Sequence, residues 1–537
     1  MRTALIFPPG ASPTYTPLGI ATLHAFLRSR SGRDETSALD LNIATWHWLA
    51  DQDPAAANIL QSMPRESETF FELQFFSALK NTWGGLQDRV QSLKRDAGVY
   101  LEKDSISGDL EALLDFLYVK TLLNDPELIG ISLMFLDQLP FALALAKYIK
   151  QVEQGSGRRA IVLGGAAVSA TYPEEILAAC PFLDYIIAGE GEGPLSALVN
   201  REPLSGIPGL LYRDGDRIQA VRHRPAAFCD EAFPYPDFSN FDTSLYFNPQ
   251  PVLPLVLSRG CGWNRCKFCA HNFSFAGYRV KEIDSIVDYI SGIQAKTGIS
   301  HFYFADQYIK PQTLEALSDA LIWNHSSIHF HVMGRPTADY TPALLEKAAI
   351  AGCRWISWGV ETGSQRLLDL VGKGTQREQV AQVLKDTASA GIANLMMMIF
   401  GLPTSTDADL DDTFSFIDDV YPYIAAMTAS SFVLFDGTPF ARHPSKYGLL
   451  PAGPQTVLQM PRGDIHSRRL SFKEGTVEAD ARLPRGPGEV ALWEKRRPWL
   501  GPPPFMESLT CEHFLLYSSM TLEPSHSRPL SPMTRSA

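Results

Sequence analysis

Ser258-Arg259-Gly260-Cys261-Gly262-Trp263-Asn264-Arg265-Cys266-Lys267-Phe268-Cys269 places three thiols on one short loop, directly after the apolar segment 252–258. Thiolate is the ligand that iron–sulfur clusters take, one for each iron. Three cysteines on a four-iron cluster therefore leave one iron open to another ligand. Two other uses compete. A structural zinc ion needs a fourth Cys or His, for which His271 is the nearby candidate. A disulfide framework fits poorly, because seven cysteines in 537 residues is sparse usage of the kind found in a reducing compartment. The other four, Cys180, Cys229, Cys353 and Cys511, are isolated and read as small buried hydrophobes.

Working downstream, the pattern predicts strands near 252–258, 300–306, 328–333, 354–360, 394–400 and 427–434. Helices are predicted around 282–296, 311–324, 341–351, 377–390 and 406–421. Strand and helix alternating in this way predict parallel β/α units, and six of them make a partial barrel. Barrel chemistry sits at the carboxyl ends of the strands. There Asp306 closes Phe302-Tyr303-Phe304-Ala305-Asp306, Arg335 follows the third strand, and Gly359-Val360-Glu361-Thr362-Gly363 ends the fourth. The fifth runs into Phe400-Gly401-Leu402-Pro403-Thr404 and the sixth into Phe435-Asp436-Gly437-Thr438-Pro439. Taken singly, each has an ordinary explanation: such turns punctuate any strand, and a lone Asp or Arg caps a helix or faces solvent.

In this order, with the cysteine triad and with Phe268 before its last member, the segments resemble the radical S-adenosylmethionine (SAM) superfamily. Typical members space the cysteines C-x3-C-x2-C; here Cys261 lies one residue further out. The resemblance implies that Cys261, Cys266 and Cys269 hold a [4Fe–4S] cluster and that the Phe268 backbone lies beside the SAM adenine. It assigns the methionine amino group to Asp306, the carboxylate to Arg335, and the ribose side to Glu361 with Thr362. A zwitterionic amino acid needs such an acceptor and such a forked donor. By the same resemblance the open iron is chelated by SAM, and one electron splits the sulfonium to a 5′-deoxyadenosyl radical, the protein supplying aim and exclusion of water.

The first two hundred residues carry a second pattern. Thr3-Ala4-Leu5-Ile6-Phe7-Pro8-Pro9-Gly10 is an apolar strand entering a turn, and a helix follows from Pro17 to about Arg28. Leu39-Asp40-Leu41-Asn42 reads as the end of a second strand. Further strands read at 128–133, 160–165 and 185–188, with helices around 139–152 and 173–180. The alternation predicts a doubly wound, Rossmann-like parallel sheet whose ligand lies beyond the carboxyl ends of the strands. Gly164-Gly165 falls at such an end, where missing side chains let a large group approach the backbone. A dinucleotide site or plain tight turns would also use glycines there. Together with Pro8-Pro9, Gly130-Ile131-Ser132 and Gly189-Glu190-Gly191-Glu192, the turn resembles the cobalamin-binding domain that precedes the barrel in one radical SAM subclass. The resemblance implies contacts from Ser132, Gly164, Gly165, Gly189 and Glu190. No D-x-H-x-x-G motif occurs, and His24 and His47 are the only histidines before residue 200, so cobalamin is expected to lack a His ligand on its lower face.

The expected organisation is α/β: a cobalamin-binding-like domain over 1–205 with a mainly helical insertion at about 44–125, a linker at 206–247, and a partial (β/α)6 barrel over 248–440. An irregular C-terminal region, 441–537, is expected to be partly disordered, its last dozen residues above all. With 45 % hydrophobic and 20 % charged residues, the chain can bury two substantial cores. A net charge of −12 argues against nucleic acid as the main partner. Neither a membrane span nor a signal peptide is evident, so the expected compartment is the cytoplasm.

The resemblance implies a methyltransferase that moves methyl from methylcobalamin to an unactivated carbon of a small molecule or peptide. It further implies an external electron donor of flavodoxin or ferredoxin type. A radical cyclase, rearrangement or other redox enzyme with non-methylating cobalamin is the alternative; a cobalamin-binding regulator with an inactive barrel is another. No catalytic acid, base or nucleophile stands out in the sequence.

Overall fold

Thr3-Ala4-Leu5-Ile6-Phe7 has no polar face, which suits a strand covered on both sides, and Thr3–Phe7 (β1) is buried throughout. In the computed structural model the described residues are 1–31, 35–153, 158–222, 235–271, 277–474 and 509–522. β1 pairs in parallel with β2 (Thr36–Asp40) and with β3 (Leu128–Ser132). The parallel ladder continues through β4 (Ala160–Gly164) to β5 (Tyr185–Ile187). Two antiparallel strands, β6 (Leu210–Asp214) and β7 (Arg217–Ala220), complete the order β2-β1-β3-β4-β5-β6-β7. The order reverses between β1 and β3, the point at which such sheets open a crevice beyond their carboxyl ends.

The second strand stops at Asp40 because that residue caps a helix. Its carboxylate accepts from the Ile43 backbone N–H at 3.0 Å, and Leu41–Ala50 is helical. Leu39-Asp40-Leu41-Asn42 is thus divided between strand and helix. The insertion contains the helices Pro54–Gln61, Leu73–Lys103 and Gly108–Thr121. Its aromatic run packs on itself, Phe70 lying 5.0 Å from Phe71 and 5.8 Å from Phe76 between ring centroids.

Residues 206–247 are more than the linker expected from their sequence. They contain β6 and β7, and Ile207, Leu210 and Phe241 share a core with Leu5, Phe7 and Leu128. The apolar residues at 207, 210 and 211 cover the open edge of β5, which would otherwise present unpaired backbone groups. Part of the Pro-rich stretch beginning at Phe233 lies outside the described residues.

The second sheet is built from β8 (Val252–Leu255), with the short antiparallel pair β9 (Ser258–Arg259) and β10 (Arg279–Val280) beside it in sequence. Then come β11 (His301–Phe304), β12 (His329–Gly334), β13 (Cys353–Glu361), β14 (Ala393–Phe400) and β15 (Ala426–Ser431). β8 and β11–β15 are parallel and lie side by side in chain order. Helices Ile283–Thr297, Pro311–Trp323, Pro342–Ile350, Arg377–Ser389 and Asp407–Val420 connect them, as a partial (β/α)6 barrel requires. Buried Trp358 donates its indole N–H to Asn394 at 2.7 Å, joining β13 to β14. Gly334 leaves room for that indole, since a Cβ there would stand 2.4 Å from its ring.

Residues 441–537, expected to be irregular, include strands Leu449–Leu458 and Ile465–Glu474 and the helix Cys511–Thr521. Prolines 451 and 454 had obscured the first strand's pattern. The Phe514 ring packs 4.7 Å from Trp355 of β13. The expectation of disorder at the end of the chain concerns residues outside the described ones. The chain divides into two compact units, one centred on each large sheet. No helix among the described residues is long and apolar enough to cross a membrane.

Burial pushes the Asp40 carboxyl up to about 7, against the stabilising hydrogen bonds from Ile43 and Tyr246. Between 3.8 and about 7 the folded chain thus holds a proton that the unfolded chain releases. The stability that Asp40 contributes is full below the lower value and is lost as pH rises through the upper one. Denaturant unfolding from pH 4 to 8 should show this fall in the wild type and a flatter profile in Asp40→Asn, whose side chain does not titrate.

Candidate cofactor sites

The cysteine loop is held at its start by a buried carboxylate. Asp306, just past β11, accepts from the backbone N–H of Leu257 at 2.9 Å and from the Ser258 hydroxyl at 2.6 Å. It also accepts from the Ser258 backbone N–H. Burial raises its carboxyl to about 6 despite these three donors. Further along, the Lys267 backbone N–H donates to Val371 at 2.8 Å and its ammonium to Leu370 at 2.6 Å; Trp263 donates to the Gly372 carbonyl at 2.9 Å. The cysteine loop therefore lies on the turn Gly372-Lys373-Gly374. Both glycines have positive φ, +72° and +68°. A Cβ on Gly372 would stand 2.8 Å from the Arg265 carbonyl, and one on Gly374 would stand 2.2 Å from the Trp263 ring.

Between these glycines the Lys373 side chain enters the interior and donates to Glu361 at 2.6 Å; the two side chains are 8 % and 11 % exposed. Glu361 ends β13 at a bulge and has φ +71°, an uncommon backbone for a non-glycine residue. Gly359 makes room for the pair, because a Cβ there would meet the Lys373 ammonium at 2.6 Å and the Glu361 carboxylate at 2.9 Å. Burial lowers the Lys373 ammonium, but Glu361 and Cys266 outweigh it and hold the charged form above its ordinary range. Lys373 was not singled out in the sequence. The signal was there, a lysine between two glycines directly after a helix, Gln365–Val371.

The structure brings together Cys261, Cys266, Cys269, Glu361 and Arg335 around this turn. The Arg335 guanidinium stacks 3.9 Å from the Trp263 ring and donates to the Gly374 carbonyl at 2.9 Å. Phe268 packs its ring against the cluster formed by Leu367, Leu402 and Phe440, so its side chain anchors the loop. Asp306 and Thr362, the other two expected SAM contacts, have partners within the protein. Asp306 is 1 % exposed and serves the loop backbone. Thr362 shares a hydrogen bond with Thr413 of the helix Asp407–Val420 at 3.0 Å. Gly363 permits that close approach, since its Cβ would lie 2.5 Å from Phe416.

Do these donors suit an iron–sulfur cluster? All three thiols are free and half-buried. Burial pushes Cys266 up to about 11 and raises Cys269, while the His271 backbone N–H and the Lys373 charge favour the thiolate of Cys269. No group of three His, Cys, Asp or Glu among the described residues can hold a single metal ion. A cluster places no such demand, because each thiolate binds a different iron. The donor set therefore fits a cluster better than a zinc ion closed by His271.

The first unit holds a cleft of about 360 Å³, open mouth included, between the sheet and the flanking residues Leu23, Gly191 and Leu195. Leu5, Gly130, Ile131, Val162 and Ile187 line it, with Ser132, Gly164 and Gly165 at the carboxyl ends of β3 and β4. Gly165 has φ +99° and its Cβ would collide with Leu133 at 2.3 Å. Gly189 (φ +94°) and buried Glu190 occupy the turn that leads to Gly191. The two N-terminal histidines stay out of it: His24 bonds Asn240 at 3.0 Å and His47 the Leu245 carbonyl at 2.8 Å. The lining is aliphatic, bare of side chains at the strand ends, and contains no imidazole.

Residues 118–199 match the B12 binding domain family, and residues 255–417 match the radical SAM superfamily. The chain thus carries a radical SAM domain and a B12-binding domain, and these two domains imply a [4Fe–4S] cluster, SAM and cobalamin. It is 26 % identical over 302 residues to an uncharacterized methyltransferase of Pyrococcus horikoshii, which covers 54 % of this chain and 64 % of that one. An anaerobic magnesium-protoporphyrin IX monomethyl ester cyclase of Cereibacter sphaeroides is 26 % identical over 49 % of this chain and 45 % of its own. The chain thus spans about half to two thirds of the length of these relatives. The solved cobalamin-dependent SAM radical enzyme OxsB, with aqua-cobalamin and SAM bound, superimposes with a TM-score of 0.61 over 87 % of this chain and 64 % of that chain. At 18 % identity that likeness establishes the fold.

Removing the carboxylate of Asp306 would leave three buried donors unpaired at the root of the cysteine loop. Asp306→Ala should weaken iron retention about 10–100-fold, the usual effect of losing a group that orients metal ligands. Iron retained after reconstitution and desalting checks this; wild-type retention in a folded variant would show that the loop orders itself without Asp306.

Proposed function

We propose that this chain is a methyltransferase that delivers a methyl group to an unactivated carbon of a small-molecule or peptide precursor. The observation that carries the reading is the pairing, in one polypeptide, of a three-thiol loop beside a buried Glu361–Lys373 pair with a glycine-lined aliphatic cleft free of histidine ligands. When bound, the cluster with SAM supplies one-electron radical chemistry and cobalamin supplies a methyl carrier.

The residues divide that work. Cys261, Cys266 and Cys269 hold the cluster and leave one iron for SAM. The Phe268 backbone would contact the adenine, its ring fixed in the core. Arg335, stiffened by stacking on Trp263, offers its guanidinium edge to the SAM carboxylate, and Glu361 accepts from the ribose hydroxyls. Ser132, Gly164 and Gly165 receive cobalamin at the mouth of the cleft, with Gly189 and Glu190 in the adjoining turn. Among the described residues the other cysteines, Cys180, Cys353 and Cys511, stand apart from this loop in sequence, and Cys180 and Cys353 are buried. Electrons therefore come from a separate donor of flavodoxin or ferredoxin type, in a reducing cytoplasm.

A second reading, cyclisation or another redox outcome without methyl transfer, draws support from the cyclase relative, which is likewise 26 % identical, though over less of its own length than the methyltransferase. Product analysis separates the two. Anaerobic protein reconstituted with iron, sulfide and hydroxocobalamin should carry about four irons and one cobalt per chain. With SAM, a strong reductant and substrate extracts it should form both 5′-deoxyadenosine and S-adenosylhomocysteine. Deoxyadenosine without S-adenosylhomocysteine would favour the second reading.

The cleft has its own test. Gly164 has ordinary φ, and a Cβ there finds its first neighbour at 3.5 Å, an ordinary contact. Gly164→Leu should therefore fold, fill the cleft and lower cobalt content well below one per chain while iron stays unchanged. Full cobalt in this variant would place cobalamin elsewhere.

A further inference from the structure

Lys373 is the one element of the barrel site that no expected contact explains. A buried ammonium is costly unless paired, and a buried ion pair adds little stability over an apolar pair of the same size. Its placement here is nonetheless elaborate. Two glycines with positive φ bring its backbone against the cysteine loop, and Gly359 gives up a side chain to admit its ammonium. Its own carbonyl accepts from Arg335 at 3.2 Å. Its ammonium has three protons, one of which is given to Glu361 at 2.6 Å.

Resting on the reading that Cys261, Cys266 and Cys269 carry a cluster and that Glu361 faces SAM, we propose that Lys373 is a positioning residue with two tasks. It fixes Glu361 as an oriented anionic acceptor, and it supplies a fixed positive charge that eases reduction of the cluster. The reasoning is electrostatic. Reduction adds an electron to a centre already ringed by three thiolates and a carboxylate. In a buried site such like charges are poorly screened, so one fixed cation lowers the cost of the added electron. The same cation holds the Glu361 side chain at the end of a strained strand, where the left-handed backbone alone would not set its direction.

Lys373→Met removes the charge at similar length, and Glu361→Gln removes the opposite charge from the same pair. On the SAM-free reconstituted full chain, the midpoint potential of the cluster, read by electron paramagnetic resonance titration, should move in opposite directions. It should fall in Lys373→Met by about 59 mV, the equivalent of a tenfold change in a one-electron equilibrium, and rise in Glu361→Gln. SAM affinity, read by equilibrium binding, should fall about tenfold or more in both, the usual loss for a charge-assisted hydrogen bond. Lys373→Arg should restore the potential. A purely structural pair would shift both potentials alike or neither, and that result would overturn the inference. Where Lys373→Met does not load iron, a Glu361→Gln potential equal to or below the wild type also overturns it. A wild-type chain that does not take up about four irons would instead strike the cluster reading itself.

Discussion

The barrel site depends on one backbone docking, that of the cysteine loop on the turn Gly372-Lys373-Gly374. A loop of twelve residues carrying three thiols has too many conformations to present them together by itself, and ordering each residue costs about 1–2 kcal/mol of backbone entropy. The chain meets that cost at two ends. Asp306 gathers the N–H groups of Leu257 and Ser258, while the end of the helix Gln365–Val371 accepts from Lys267 and the turn accepts from Trp263. Neither end uses a cysteine, so all three thiols stay free.

The two candidate sites are made by opposite means. In the first unit the cleft is made by omission: Gly130, Gly164, Gly165 and Gly191 leave space along the sheet, and aliphatic side chains line the rest. Such a surface binds by area and shape, and it suits a large group with its own polar periphery. In the second unit the site is made by addition, with thiols, a carboxylate, an ammonium and a guanidinium converging where strands end. The glycines there serve the charged groups, since Gly359, Gly372 and Gly374 each stand where a side chain would displace Lys373 or the loop above it.

Much of this was legible in the sequence because periodicity and ligand spacing are local properties. The barrel strands and their helices lie within a few residues of their expected places, and the three cysteines announced themselves. What was not legible is long-range. That 207–220 would extend the first sheet depended on an open edge at β5, which no local pattern reveals. That Asp306 and Thr362 would turn toward backbone and helix depended on which neighbours arrive, Ser258 in one case and Thr413 in the other. An acidic residue at a strand end looks the same in sequence whether it holds a ligand or the loop that holds the ligand.

Gly372-Lys373-Gly374 shows the same limit from the other side. Read along the chain it is a helix terminus, with glycine in the left-handed conformation ending Gln365–Val371 and a lysine near the negative end of the helix dipole, an ordinary combination. Only the fold discloses that the lysine turns inward. A lysine serving the dipole would keep its ammonium in solvent, where its hydration is strong. This one is 8 % exposed and bonded to a carboxylate whose backbone is itself strained. Two unfavourable features placed in contact, next to three half-buried thiols, are poor candidates for stabilising a barrel that already has a continuous apolar core. On the role proposed for Lys373 they form the charge arrangement of a redox site, held in place by the packing around it.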